Sequence, residues 1–184
     1  SSDVCSSDLQ SPEPVTGAIM TPIYASSTFV QESPGQLKGY DYSRGGNPTR
    51  RALQDCIADL ENGAAGFAFA SGMAATAHIL ELLDHGAHIV AGDDLYGGTY
   101  RLFENVRKRS AGQRATFVDF SDPVVVEAAI QPDTRMLWVE TPTNPLLKIV
   151  DLAAIAEIGR RRGLITVCDN TFASPFCQRP LDHG

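Results

Sequence analysis

The sequence predicts an α/β fold built on a mostly parallel sheet, and three observations carry that prediction. From about residue 47, short runs rich in aliphatic and aromatic residues alternate with helix-periodic stretches. The stretches between successive runs are long enough for the crossover helix that parallel strands need. The strand-like runs are apolar along their length, as strands covered on both faces are.

The elements follow in order. Asn47 suits a helix N-cap and Pro48 the first helical turn. Leu53, Ile57 and Leu60 then recur at helical spacing, and Asn62-Gly63 stops that helix. GFAFA (66–70) reads as a short apolar strand. Ser71-Gly72 opens a second helix with Ala74, Ala77 and Leu80 on one face, ending at Gly86. AHIVAGD (87–93) reads as a strand, TYRLFENVRKR (99–109) as a helix and ATFVDF (115–120) as a strand. PVVVEAAI (123–130) reads as a short helix despite its valines, because Pro123 begins it and a parallel sheet needs a crossover there. RMLWVET (135–141) is a strand, and DLAAIAEIGRRR (151–162) a helix capped by Asp151 and ended by Gly163. LITVCDN (164–170) is the last strand.

Composition narrows the function classes. The 184 residues are 43% hydrophobic and carry a formal net charge of -7, with no basic stripe to neutralise phosphates, so nucleic acid is not an expected partner. The one basic run, Arg160-Arg161-Arg162, falls at a helix end where cations suit the dipole. No apolar run approaches a membrane span. Cys5, Cys56, Cys168 and Cys177 form no zinc-ligand spacing; Cys56 and Cys168 read as small core residues, and a reducing, cytoplasmic setting is expected. His85 and His88 flank a turn at Gly86, so no metal is expected there. SSDVCSSDL lacks the basic start and apolar core of a signal peptide. Residues 1–10 are read as a leader, disordered or foreign, and the Pro-interrupted residues 11–46 as an arm over the surface or a neighbouring subunit.

Ligands of parallel sheets bind beyond the carboxyl ends of the strands. There Ser71-Gly72, Asp93-Asp94, Glu140-Thr141 and Asp169-Asn170 are expected to converge. Each stretch has two readings. FASGMAA is a tight turn, or a phosphate site made by free N–H groups at a helix start. Tyr96 in DDLYGGTY packs under its own loop, or stacks on a flat cofactor ring. Asn144 in ETPTNP bonds its own turn, or offers an amide to a ligand oxygen. Tyr42 and Arg44 in YDYSRGGNPT share one side of an extended piece, as a surface ion pair or as phosphate ligands. Asp169 ends a buried strand on a carboxylate, which calls for a cation.

Together and in this order, YSRGGNPTRRALQ, FASGMAA, DDLYGGTYRLF, VETPTNPLLKIVD and VCDNTFASPFCQRPLDHG resemble landmarks of the Cys/Met-metabolism family of pyridoxal-phosphate enzymes, from about residue 11 to the end. That family comprises cystathionine γ-synthases, cystathionine γ- and β-lyases, and methionine γ-lyases. The resemblance implies a type I PLP-transferase fold, aspartate-aminotransferase-like, with residues 47–184 forming part of its large cofactor-binding domain. It implies pyridoxal 5'-phosphate as cofactor, with Asp169 paired to the protonated pyridine nitrogen. An ion pair at about 4 Å is worth roughly 4 kcal/mol at an effective dielectric of 20. By the same matching, Gly72 and Met73 cradle the phosphate, Tyr96 stacks on the ring and Asn144 bonds its phenolic oxygen. Thr171 neighbours the ring and Glu140 is a supporting acid. Tyr42 and Arg44 reach the phosphate of an adjacent subunit, which implies an oligomer, typically a homotetramer.

The implied substrates are cystathionine, activated homoserine and cysteine, in γ-replacement or γ-elimination. Tyr96 moves protons near the leaving group. Gly98 stands where methionine γ-lyases usually carry a cysteine, which favours the cystathionine γ-synthases and γ-lyases; β-lyase and methionine γ-lyase remain alternatives. The family's Schiff-base lysine is missing, since Lys38, Lys108 and Lys148 lie in other contexts and Lys148 is expected to be exposed. The chain is therefore expected to be the N-terminal part of a longer subunit, inactive and poorly soluble by itself. A catalytically inactive chain that only docks on intact subunits, and a nucleotide-dependent oxidoreductase, are the readings from other classes.

Overall fold

A computed structural model of the protein describes residues 11–184. The expected leader, residues 1–10, lies outside the described residues. The chain divides into two compact units, one ending at Ala68 and the other spanning Phe69–Gly184.

The first unit holds an antiparallel hairpin, β1 (Gln31–Ser33) and β2 (Gln36–Leu37), and helix α1 (Pro48–Leu60). Asn47 caps α1, its side chain accepting from the Thr49 N–H, with Pro48 in the first turn. The apolar stripe of Leu53, Ile57 and Leu60 is exposed, and α1 buries no residue. The arm is tied to α1 by hydrogen bonds: the Thr49 hydroxyl donates to Pro22 O and accepts from Tyr24 N, and the Asn47 amide donates to Tyr24 O.

The second unit carries α2 (Gly72–Ile79), β3 (His88–Gly92), α3 (Gly97–Arg101), α4 (Lys108–Ala111), β4 (Arg114–Val118), α5 (Pro123–Ala128), β5 (Thr134–Glu140), α6 (Leu152–Arg162), β6 (Ile165–Asp169) and α7 (Ser174–Cys177). A wider π turn, Leu102–Arg107, joins α3 to α4. The four long strands form one parallel sheet in the order β4-β3-β5-β6. Alternate side chains feed two cores. Ile89, Ala91, Met136 and Trp138 pack against Leu80, Leu83 and Phe103 on one face. Val90, Leu137 and Val139 pack against Val126, Ile155 and Ile158 on the other. Each such large side chain, fully buried, contributes roughly 1.5–3 kcal/mol.

Three expectations are corrected. GFAFA is not a strand: residues 66–70 pair with no strand, and the Ala68 N–H donates instead to the Gln54 side chain. An extended run becomes a strand only when a neighbour takes its backbone groups, and Phe67 remains 76% exposed. The second helix ends at Ile79 and tightens to a 3-10 turn over Leu80–Leu82 before the left-handed Gly86. Cys56 and Cys168 are half-buried rather than fully buried, and Cys168 packs against the edge of the second core.

Candidate active site

The carboxyl ends of β3, β5 and β6 and the start of α2 surround one cavity of about 370 Å³. Its lining includes Ser71, Gly72, Met73, Tyr96, Glu140, Asn144, Asp169 and Thr171. The register of the sheet explains why two acids meet there. Glu140 and Asp169 are direct partners across β5 and β6, so both side chains leave the same face, the one carrying Trp138 and Val167.

Asp169 is held by its own turn: Oδ1 accepts from Thr171 N at 3.1 Å and Thr171 Oγ1 at 2.5 Å. Ion pairs occur elsewhere among the described residues, and none includes Asp169. Glu140 is buried, and its Oε2 accepts from Tyr96 N at 2.9 Å. Burial pushes its carboxyl above the ordinary range; the Tyr96 and Asn144 N–H groups pull it down, and the Asp169 charge adds to the rise. One acid thereby ties together the backbone at Tyr96 and at Asn144.

Ser71 caps α2, accepting from Ala74 N at 3.1 Å, which leaves the Gly72 and Met73 N–H groups as the first unbonded donors of the helix. A Cβ built on Gly72 meets nothing within 4 Å, so the space beside that backbone is open. Gly98 is different. A Cβ there falls 2.4 Å from the Tyr96 ring and 2.9 Å from Met73 Sδ, so glycine is what lets these two cavity residues take their places.

Some expected residues stand elsewhere. Asp93 and Asp94 do not line the cavity. Asp93 pairs with Lys148 at 3.0 Å, and Lys148 also pairs with Asp119 at 3.1 Å, so Lys148 is a half-buried ion-pair centre and not an exposed lysine. The Ser121 hydroxyl and N–H, with the Lys148 ammonium, hold the Asp119 carboxyl at about 2. Tyr42 and Arg44 belong to the first unit, where the guanidinium lies over the phenol ring, 5.2 Å from its centroid. They sit at a bridge to Thr28 and the turn after it, so contact replaces strand alternation as the reason they share a side. Thr76, Thr99 and Phe172 also line the cavity, as does Pro142 of the ETPTNP stretch. Their only signal was a place in or next to the motif stretches. His88 is buried between Thr134 Oγ1 (2.7 Å) and Thr116 Oγ1 (2.9 Å), and no group of residues suited to a metal occurs among the described residues.

The donor set suits a flat, anionic heteroaromatic: helix N–H groups at one end, an aromatic ring and an amide on the walls, and a carboxylate at a strand tip. The sequence profile of the Cys/Met metabolism PLP-dependent enzymes matches residues 4–184. The chain belongs to that family. Its relatives within the family include a cystathionine beta-lyase of Coxiella burnetii, 63% identical over 95% of this chain and 45% of the relative. A cystathionine gamma-lyase of Bacillus subtilis is 50% identical over 92% of this chain and 44% of the relative. A probable cystathionine gamma-synthase of Herpetosiphon aurantiacus is 51% identical over 95% and 54%. Among solved structures, a cystathionine gamma-lyase from Lactobacillus plantarum, complexed with L-serine, superposes with a TM-score of 0.91 at 52% identity. That match covers 96% of this chain and 46% of the other. The chain thus spans about half the length of the family members it matches. Pyridoxal phosphate is the family's cofactor, and the cavity residues fit its ring and its phosphate. No helix among the described residues is long and apolar enough to cross a membrane.

Proposed function

We propose that this chain forms the cofactor-holding part of a pyridoxal-phosphate enzyme of transsulfuration, acting by γ-replacement or γ-elimination on cystathionine or an activated homoserine. One observation carries the reading. Asp169, at the tip of a sheet strand, faces a cavity with an aromatic wall and a helix N-terminus, and no described cation pairs with it.

When bound, the cofactor supplies an electron sink for cleavage at the substrate Cα. The chain's own residues bind and orient it. The Gly72 and Met73 N–H groups bind phosphate, Tyr96 presents its ring face, and the Asn144 amide meets the phenolic oxygen. Asp169, fixed by Thr171, holds a proton on the ring nitrogen. Glu140 sets the backbone at Tyr96 and Asn144, and the Tyr96 hydroxyl moves a proton near the leaving group. Tyr42 and Arg44 reach the phosphate of an adjacent subunit in a homotetramer. Four cysteines without zinc-ligand spacing suit a cytoplasmic setting.

Gly98 stands where methionine γ-lyases usually carry a cysteine, which favours the cystathionine enzymes. Elimination at the β carbon is the second reading, favoured by the 63% identity to a chain named cystathionine beta-lyase. The 184 residues by themselves are proposed to turn over no substrate. Lys108 and Lys148 are paired with acids away from the cavity lining, and neither is placed to join the cofactor.

Titrating the chain with pyridoxal phosphate is expected to show saturable binding that Asp169→Asn weakens; equal binding by both would remove the reading. Supplying the whole gene product with cystathionine, or with O-succinylhomoserine and cysteine, and identifying the keto acid or thioether formed separates γ from β chemistry.

A further inference from the structure

Asp94 lies outside the cavity, yet it is buried, and its Oδ2 accepts two hydrogen bonds from the loop that carries Asn144. One donor is the Thr143 hydroxyl and the other is Leu146 N at 2.9 Å. Thr143 Oγ1 in turn accepts from Lys148 N at 2.8 Å, and Thr143 N donates to Lys148 O at 3.1 Å. Val150 N donates to Thr141 Oγ1 at 3.1 Å, and Leu147 N to Thr143 O at 3.0 Å. The Asn144 N–H goes to Glu140, and Pro142 and Pro145 have no N–H to place. Almost every amide of the loop therefore has a partner, and Asp94 is a buried side chain from outside the loop that accepts two of its donors. Two residues further on is Tyr96, whose N–H is held by Glu140. Glu140 thus bonds the backbone at Tyr96 and at Asn144, and Asp94, two residues before Tyr96, bonds the residues on either side of the Asn144 turn.

We propose that Asp94, acting through the Thr143 hydroxyl, is a positioning residue that latches the 141–150 loop and fixes where Asn144 meets the ligand. The choice of ligand rests on the reading above; the latch itself does not. Lys148, held by Asp93 and Asp119, anchors the far side of the loop.

The test compares Thr143→Val, which removes both the donor to Asp94 and the acceptor for Lys148 N at nearly constant shape, with Thr143→Ser, which keeps both, and with Asp94→Asn, which leaves the Lys148 acceptor in place. Amide hydrogen exchange is followed on ligand-free protein. The latch predicts that Thr143→Val speeds exchange at Leu146 and Lys148 by about tenfold or more, while the amides of β3 and β5 change little. Thr143→Ser should restore protection at both, and Asp94→Asn should weaken it, which keeps the test decisive if the valine variant does not fold. Unchanged exchange at Leu146 and Lys148, or an increase spread evenly over the sheet, overturns the latch. In parallel, pyridoxamine 5'-phosphate is titrated into each protein. The latch predicts weaker binding by Thr143→Val, by about three- to tenfold, and recovery in Thr143→Ser. Binding unaltered in the valine variant overturns the positioning role. Failure of the unsubstituted chain to bind this probe removes the cofactor reading, and the exchange result then decides the latch alone.

Discussion

Glu140 carries a raised carboxyl, chiefly because it is buried, with the neighbouring Asp169 charge adding to the rise. A carboxyl raised in the fold holds its proton more tightly there than in the unfolded chain. Its stabilising contribution is therefore complete below its ordinary value of 4.5 and is lost as pH rises through the folded value. Glu140→Gln keeps an acceptor for the Tyr96 N–H and removes the charge. It is expected to raise the melting temperature at pH 7 by about 2–4 °C, roughly 1 kcal/mol for a chain of this size, while weakening cofactor binding. A lowered melting temperature would show that the ionised form stabilises the fold. Gly98→Ala is the sterically sharper change. It is expected to displace the Tyr96 ring and reduce pyridoxal-phosphate affinity at least threefold, about 0.7 kcal/mol, with titration as the check. The acids, aromatic and amide that end strands were legible in the sequence, because chemistry-bearing residues at such positions stand out against apolar runs. Asp94 and Thr143 were not legible as a pair. A side chain that only bonds another side chain 49 residues away leaves no periodic mark.

The sheet elements were legible from apolar runs between capped helices, and Asp151, Gly163, Asn47 and Pro48 do at the helix ends what their types suggest. GFAFA was misread because its pattern is that of a strand while pairing depends on a neighbour, which no run of residues reports. The π turn at Leu102–Arg107 was likewise hidden inside an ordinary helical pattern. His88 binds three strands together, since it starts β3 and touches Thr116 of β4 and Thr134 of β5. Burial lowers its imidazole below the ordinary value of 6.5; Arg114 lowers it further and Asp133 opposes this. The fold thus favours the neutral ring, and His88 contributes fully above about 6.5 and loses that contribution as pH falls through the folded value. Melting temperatures of the wild type are expected to drop between pH 7 and pH 5 more steeply than those of His88→Gln, as followed by circular dichroism. Parallel slopes in the two proteins would contradict this.

At the scale of the molecule, the described chain exposes large apolar groups: Phe67 is 76% exposed and Phe176 95% exposed. Within the second unit, β4 and β6 are both edge strands of the sheet. Open edges and bare aromatics favour association. The 184-residue chain is expected to scatter light at concentrations of about 10 µM or above, and Phe176→Ser to reduce that scattering without lowering the melting temperature by more than about 2 °C. A clear, monomeric solution would contradict that expectation.

The most direct measurement is the nitrogen-15 chemical shift of ring-labelled pyridoxal phosphate bound to this protein at neutral pH. A strand-tip acid that serves a cationic ring predicts the shift of a protonated pyridine nitrogen in the wild type and of an unprotonated one in Asp169→Asn. An unprotonated nitrogen in both, or a protonated one that survives loss of the carboxylate, would contradict the role assigned to Asp169.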